Sequence, residues 1–184
     1  KKKVFEIGNI IRKKIIDFSQ NRQNYSKDKK LSILVLGGSQ AAKVFAEVLP
    51  KIFEKCAKKN IPLKIFQQCL PYQKDNLSNF YSKLKINHKI FYFSNNILDY
   101  FSKANLAITR SGSSMLAELV NANIPFVSVP LPSSADNHQL KNAIFYQNKG
   151  YSYLIKEKDL NIKLFELIRK IKDNRTLLDQ MKKK

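Results

Sequence analysis

From residue 31 onward the chain repeats one pattern. A short apolar run is followed by a polar turn, and then by apolar residues at helical spacing. Apolar runs at 32–36, 63–67, 89–93, 106–109, 126–129 and 151–155 are of strand length. Helical spacing fills the intervals at 41–59, 75–84, 97–103, 113–121 and 137–149, and stretches 159–171 and 175–182 close the chain. In 41–59 the spacing is carried by Val44, Val48, Ile52, Phe53 and Cys56, and Pro50 is expected to kink or split that helix. Strands without an exposed polar face, alternating with helices, form a parallel sheet covered on both sides. The predicted fold is α/β, a doubly wound parallel sheet.

The first thirty residues break the pattern. Val4-Phe5-Glu6-Ile7 and Gly8-Asn9 lead into a helix-like stretch at 10–18. The polar segment 19–30 offers almost nothing to bury and reads as a linker. Lys1-Lys2-Lys3 is basic but has no hydrophobic region behind it, so no signal peptide is expected. With no initiator Met, the expectation is a segment of a longer protein.

Composition changes the picture little. Hydrophobic residues make up 43% of the 184, enough for a full core, and no apolar run is long enough to span a bilayer. Cys56 and Cys69 stand apart, outside any metal-ligand spacing, and are expected to be free thiols in a reducing cytoplasm. The formal net charge of +20 would suit nucleic acid or an anionic membrane. The excess is nearly all Lys, however, with Arg only at Arg12, Arg22, Arg110, Arg169 and Arg175. Abundant Asn, Ile, Phe and Tyr beside absent Trp match a strongly A+T-biased genome, so much of the charge reads as solvated surface. No Arg-rich or aromatic recognition motif is present, and nucleic acid is not an expected partner.

In a doubly wound sheet, ligands bind beyond the carboxyl ends of the strands. After the first strand comes Gly37-Gly38-Ser39-Gln40-Ala41-Ala42. Two glycines allow close backbone approach at a helix start, where free N–H groups favour a phosphate. A plain turn with Ser39 as N-cap fits equally well. After the third strand, Ser94-Asn95-Asn96 offers loop backbone to a flat base, or a helix cap at Asn96. After the fourth, Arg110-Ser111-Gly112-Ser113-Ser114 opens a second anion-friendly helix, with Glu118 a little over one turn in. Glu118 is either a ligand for two vicinal ribose hydroxyls or an ordinary surface carboxylate. After the fifth, Asp136 suits an N-cap, Gln139 suits sugar hydroxyls, and His138 is a base or a polar contact.

The same segments resemble the MurG family of peptidoglycan N-acetylglucosaminyltransferases. Gly37 to Ala42 resembles GGSQGA, Arg110 to Glu118 resembles RSGAxTxxE, and Asn123 to Pro130 resembles GLPAIxVP. Asp136 to Ala143 resembles DxHQxxNA, and Gly8-Asn9-Ile10-Ile11-Arg12 resembles GNPVR. Order and spacing agree from residue 6 to about residue 155. The resemblance implies the Rossmann-like C-terminal half of a GT-B glycosyltransferase, with residues 1–30 as hinge and linker and 31–184 as the UDP-sugar-binding domain. It places donor contacts on Arg12, Ser39, Gln40, Ser94, Ser113, Ser114, Met115, Leu116, Ala117, Glu118, His138 and Gln139. Ser39 and its loop take a phosphate, the backbone at Ser94 the uracil, Glu118 the ribose, and Gln139 the sugar hydroxyls.

The implied partners are UDP-N-acetylglucosamine, lipid I held by an N-terminal domain that also supplies the catalytic base, and an anionic membrane surface. The implied place is the cytoplasmic face of the bacterial inner membrane, peripherally attached. No metal and no cofactor are expected. Three departures stand out: Ala41 where the family has Gly, Ile10 where it has Pro, and Ser94 where it has an apolar residue. Alternatives are another lipid glycosyltransferase of this architecture, such as a diacylglycerol glucosyltransferase or the catalytic subunit of chitobiosyl-lipid synthesis, and a non-catalytic basic module.

Overall fold

The computed structural model describes residues 9–21 and 30–182, without the side chains of residues 21 and 39–42. Val4 to Gly8 and most of the linker lie outside the described residues. Strands β1 (Leu31–Leu36), β2 (Leu63–Gln68), β3 (Asn87–Phe91), β4 (Leu106–Thr109), β5 (Phe126–Ser128) and β6 (Ser152–Leu154) form one sheet. Its order is β3-β2-β1-β4-β5-β6, and every neighbouring pair is parallel. Helices α1 (Lys13–Asn21), α2 (Gly38–Lys58), α3 (Lys74–Lys83), α4 (Leu98–Phe101), α5 (Ser113–Asn121), α6 (His138–Asn148), α7 (Leu160–Asp173) and α8 (Thr176–Gln180) accompany it.

The sheet is doubly wound because its central strands are apolar on both faces. All six residues of β1 are buried. Leu31, Ile33 and Val35 point into a core shared with Phe45, Leu49 and Phe53 of α2 and Leu164 and Ile168 of α7. Leu34 and Leu36 point the other way, toward Phe101 of α4, Leu116 and Leu119 of α5 and Tyr146 of α6. The second layer also holds α1, through Ile15, which is fully buried, and Phe18, whose ring meets that of Phe101 at 6.5 Å. Burying side chains of this size contributes roughly 1.5–3 kcal/mol each.

Several boundaries move from their expected places. Pro50 neither splits nor ends α2, which runs unbroken for 21 residues. Packing of Leu49, Ile52 and Phe53 against the sheet holds the helix across the missing N–H. The N-terminal helix begins at Lys13 and runs on to Asn21, into the stretch expected to be linker. Strand β3 ends at Phe91, two residues early, which leaves Tyr92 and Phe93 exposed past the sheet.

Both cysteines are free and buried. Burial pushes the Cys56 thiol up to about 12 and raises Cys69 and Tyr81 as well. The folded chain therefore keeps protons that the unfolded chain releases above its ordinary thiol value of 9.0. The associated stability is complete below that value and is lost as pH climbs toward about 12. The expected result is a urea midpoint that drops between about pH 8 and about pH 10.5, with a slope of up to about 1.4 kcal/mol per pH unit for each group. Equal midpoints would contradict it.

Candidate functional site

The strand order reverses between β1 and β4, since the chain winds outward from β1 to β3 and then crosses back. In open α/β sheets this switch point leaves a crevice at the carboxyl edge. A cleft of about 430 Å³ lies there. Leu36, Gly37 and Gly38 line it from the end of β1, and Thr109, Arg110 and Gly112 from the end of β4. Gln68, Met115, Leu131 and Gln139 close it. A larger hollow, about 640 Å³, lies off the switch point against Val44, Val48 and Leu140.

Two helices begin at the cleft, α2 after β1 and α5 after β4. Their N-cap positions are glycines, Gly37 and Gly112, and neither end has a side-chain cap. No N-cap side chain occupies the first-turn N–H groups, of which that of Gly38 is bound by Gln68, and both positive dipole ends are at the crevice. This pair of ends suits a diphosphate. Gly38 has φ +65°, which an L side chain adopts only with strain. Ser39 is not the N-cap of α2; it lies in the first turn, one residue beyond Gly38. The side chains of Ser39 and Gln40 lie outside the described residues.

The turns around the cleft are pinned by side chains from neighbouring elements. Gln68, at the end of β2, accepts from the Gly38 N–H at 3.2 Å and donates to the Tyr92 carbonyl at 3.1 Å. Gln139 Oε1 accepts from the N–H groups of Ser111 and Leu131, at 3.2 and 3.0 Å. Asn142, one turn along α6, donates to the Ser111 carbonyl at 3.0 Å. Arg110 lies beneath these turns, nearly buried. It donates to the Val129 and Pro130 carbonyls, pairs with Glu157 at 2.6 Å, and sits 5.0 Å over the Phe45 ring.

Gln68 and Asn142 were assigned no role from the sequence. Gln68 had a usable signal, a polar pair closing an otherwise apolar strand. Asn142 had one too, as the Asn of the segment that resembles DxHQxxNA.

The predicted residues divide into groups. Met115 and Gln139 line the cleft, and Ser113 and Ser114 are exposed in the first turn of α5. Leu116 and Ala117 are turned into the protein, Leu116 fully, so only their backbone can meet a ligand. Ser94 is half-buried, and its hydroxyl accepts from the Asn96 N–H at 3.2 Å. Asn96 spends its side-chain amide on Asp99 instead of capping a helix. His138 is exposed, with Nδ1 2.8 Å from the Ala135 carbonyl. Asp136 does not cap α6: the N-cap is Asn137, in the left-handed region, without a side-chain cap bond.

Glu118 is no surface carboxylate. It is 7% exposed, and both its oxygens accept from Arg12: Nε to Oε1 and Nη2 to Oε2, each 2.6 Å. The bond to Glu118 raises the Arg12 guanidinium above its ordinary value. The pair ties the segment before α1 onto α5. Glu118 thus has a structural partner that the sequence did not reveal, because 106 residues separate the two. Among the described residues, no three His, Cys, Asp or Glu side chains are grouped as a metal site requires. No helix among them is long and apolar enough to cross a membrane.

A doubly wound parallel sheet with two helix N-termini at its switch point defines a Rossmann-like domain. Residues 32–184 match the model of the glycosyltransferase family 28 C-terminal domain, and the chain belongs to that family. Among its relatives are two proteins named UDP-N-acetylglucosamine–N-acetylmuramyl-(pentapeptide) pyrophosphoryl-undecaprenol N-acetylglucosamine transferase. That of Pelagibacter ubique is 34% identical over 164 residues, covering 89% of this chain and 45% of its own length. That of Rickettsia bellii is 35% identical over 170 residues, covering 88% and 48%. The crystal structure of Acinetobacter baumannii MurG superposes with a TM-score of 0.74 at 28% identity, covering 91% of this chain and 46% of that one. The chain spans about half the length of the relatives it matches.

Proposed function

We propose that this chain is the donor-binding domain of an inverting glycosyltransferase that moves N-acetylglucosamine from UDP-N-acetylglucosamine to lipid I, giving lipid II for peptidoglycan. The observation that carries the reading is the switch-point cleft with two glycine-capped helix N-termini at its edge. Family membership and the names of the relatives supply the chemistry. An acceptor hydroxyl attacks the anomeric carbon, the bond to the diphosphate breaks, and UDP leaves. A base in a partner domain takes the hydroxyl proton.

The residues of this chain hold the leaving group. The N-termini of α2 and α5 face the charge that develops on the diphosphate, where fixed dipoles act without reorganising. Glu118 receives the ribose hydroxyls, and the backbone at Ser94 receives the uracil, beside the exposed ring of Phe93. Gln139 has its oxygen engaged twice, so it meets the sugar as a donor, through its amide nitrogen. The lipid-linked acceptor implies peripheral attachment to the cytoplasmic face of the inner membrane, helped by the surplus of Lys.

Calorimetry with UDP and UDP-N-acetylglucosamine tests the reading. Binding is expected, weakened because ligand sites that close between two domains are here open on one side. Transfer to a lipid I analogue is not expected from these residues alone. No binding of either nucleotide at millimolar concentration sinks the proposal. Co-sedimentation with anionic vesicles is expected to vanish at high salt, and persistence there argues against purely electrostatic attachment.

A further inference from the structure

We infer that Arg12 is a placeholder for the ribose, and that its pairing with Glu118 makes tight binding conditional on a diphosphate. The inference rests on the donor-site reading above and deepens it. Both oxygens of Glu118 are taken up by the guanidinium, in a two-point pair with each contact at 2.6 Å. The Glu118 side chain is only 10% exposed, so little of the carboxylate is left for a second partner. A planar guanidinium presenting two N–H groups to a carboxylate has the same donor pattern as two vicinal hydroxyls. The two compete for one acceptor.

Arg12 itself is 48% exposed and precedes the first turn of α1, so its side chain can leave without disturbing a core. The removal has a cost, since a buried carboxylate is separated from its counter-charge. A neutral nucleoside returns the hydrogen bonds to Glu118 but leaves Arg12 with nothing to bind. A nucleoside diphosphate provides for both. Its hydroxyls take Glu118 and its phosphates take Arg12. Glu118 is five residues into α5, about 7.5 Å along the axis from the Ser113 end at which an anion is favoured. That is close to the span of an Arg side chain, which is the reach that transfer of Arg12 from one to the other requires. The pair therefore acts as a specificity device: it penalises uridine and leaves UDP favoured.

Protein-observed NMR titrations of the chain with uridine and with UDP, in the parent and in Arg12→Ala, test this. Arg12→Ala is expected to tighten uridine by about fivefold, in the range that partly exposed ion pairs span, and to weaken UDP. The ratio of the two dissociation constants then falls by more than tenfold. A second readout needs no variant. Uridine is uncharged, so its binding to the parent should strengthen as salt screens the pair, whereas UDP binding weakens. A merely structural Arg12 would give neither opposed response. If Arg12→Ala leaves uridine unchanged or weakens both ligands alike, the placeholder role is overturned while the donor-site reading stands. If neither ligand binds in either protein, both fall together.

Discussion

Glu118→Ala is expected to weaken UDP binding by about ten- to a hundredfold while leaving the sheet folded. Charge-assisted hydrogen bonds to two ribose hydroxyls contribute roughly 1.5–3 kcal/mol, which sets that range. Loss of the Arg12 contact removes a competitor at the same time, so the effect belongs toward the lower end. Glu118→Gln should lose less, since one acceptor oxygen remains. The fold tolerates both because α1 is also held by Ile15 and Phe18 against the second layer. A dideoxy-uridine diphosphate supplies the control: it has no diol to lose, so its affinity should not fall, and it should rise slightly because Arg12 is freed for the phosphates. Calorimetry on the three proteins and two ligands decides the matter. Unchanged UDP affinity in Glu118→Ala would leave Glu118 as an anchor for Arg12 and nothing more.

The second large effect falls on stability. Arg110 opens a motif that reads as part of an anion site, but its guanidinium is used internally. It is 8% exposed, bound to two carbonyls and to Glu157, and stacked over Phe45. Arg110→Ala leaves both carbonyls without that donor and opens a void against α2. A loss of about 3 kcal/mol is expected. Glu157→Ala should cost a similar amount by another route, since it strands a buried cation. Because each single change already breaks the pair, the double variant should cost less than the sum, with a coupling of about 1–3 kcal/mol. Urea denaturation of the four proteins measures it. Strictly additive losses would mean that the ion pair does not hold the end of β4 to the turn before α7.

The layered fold was legible because periodicity reports burial. Six apolar runs separated by helical spacing admit few arrangements, and the central strand β1, buried at all six positions, is the clearest case. The cleft's location was legible too, because ligands in such a sheet bind at the carboxyl ends of its strands, and Gly37-Gly38 and Gly112 follow β1 and β4. The split expected at Pro50 does not occur because propensity is local, whereas the packing that holds α2 together comes from the sheet.

Side-chain partners were legible least. Arg12 and Glu118 are 106 positions apart, and nothing in either neighbourhood marks the other. Arg110 opens a segment that read as anion-friendly, and nothing near it pointed to its partner Glu157, 47 positions on. Gln139 read as a free donor and acceptor until two backbone N–H groups took its oxygen. By itself the sequence determined which apolar runs form the sheet and which segments end at the cleft, because both follow from patterns within a few residues. Only the tertiary structure decided which charged and amide groups are already satisfied, because hydrogen bonds and ion pairs depend on ångström distances between segments remote in the chain.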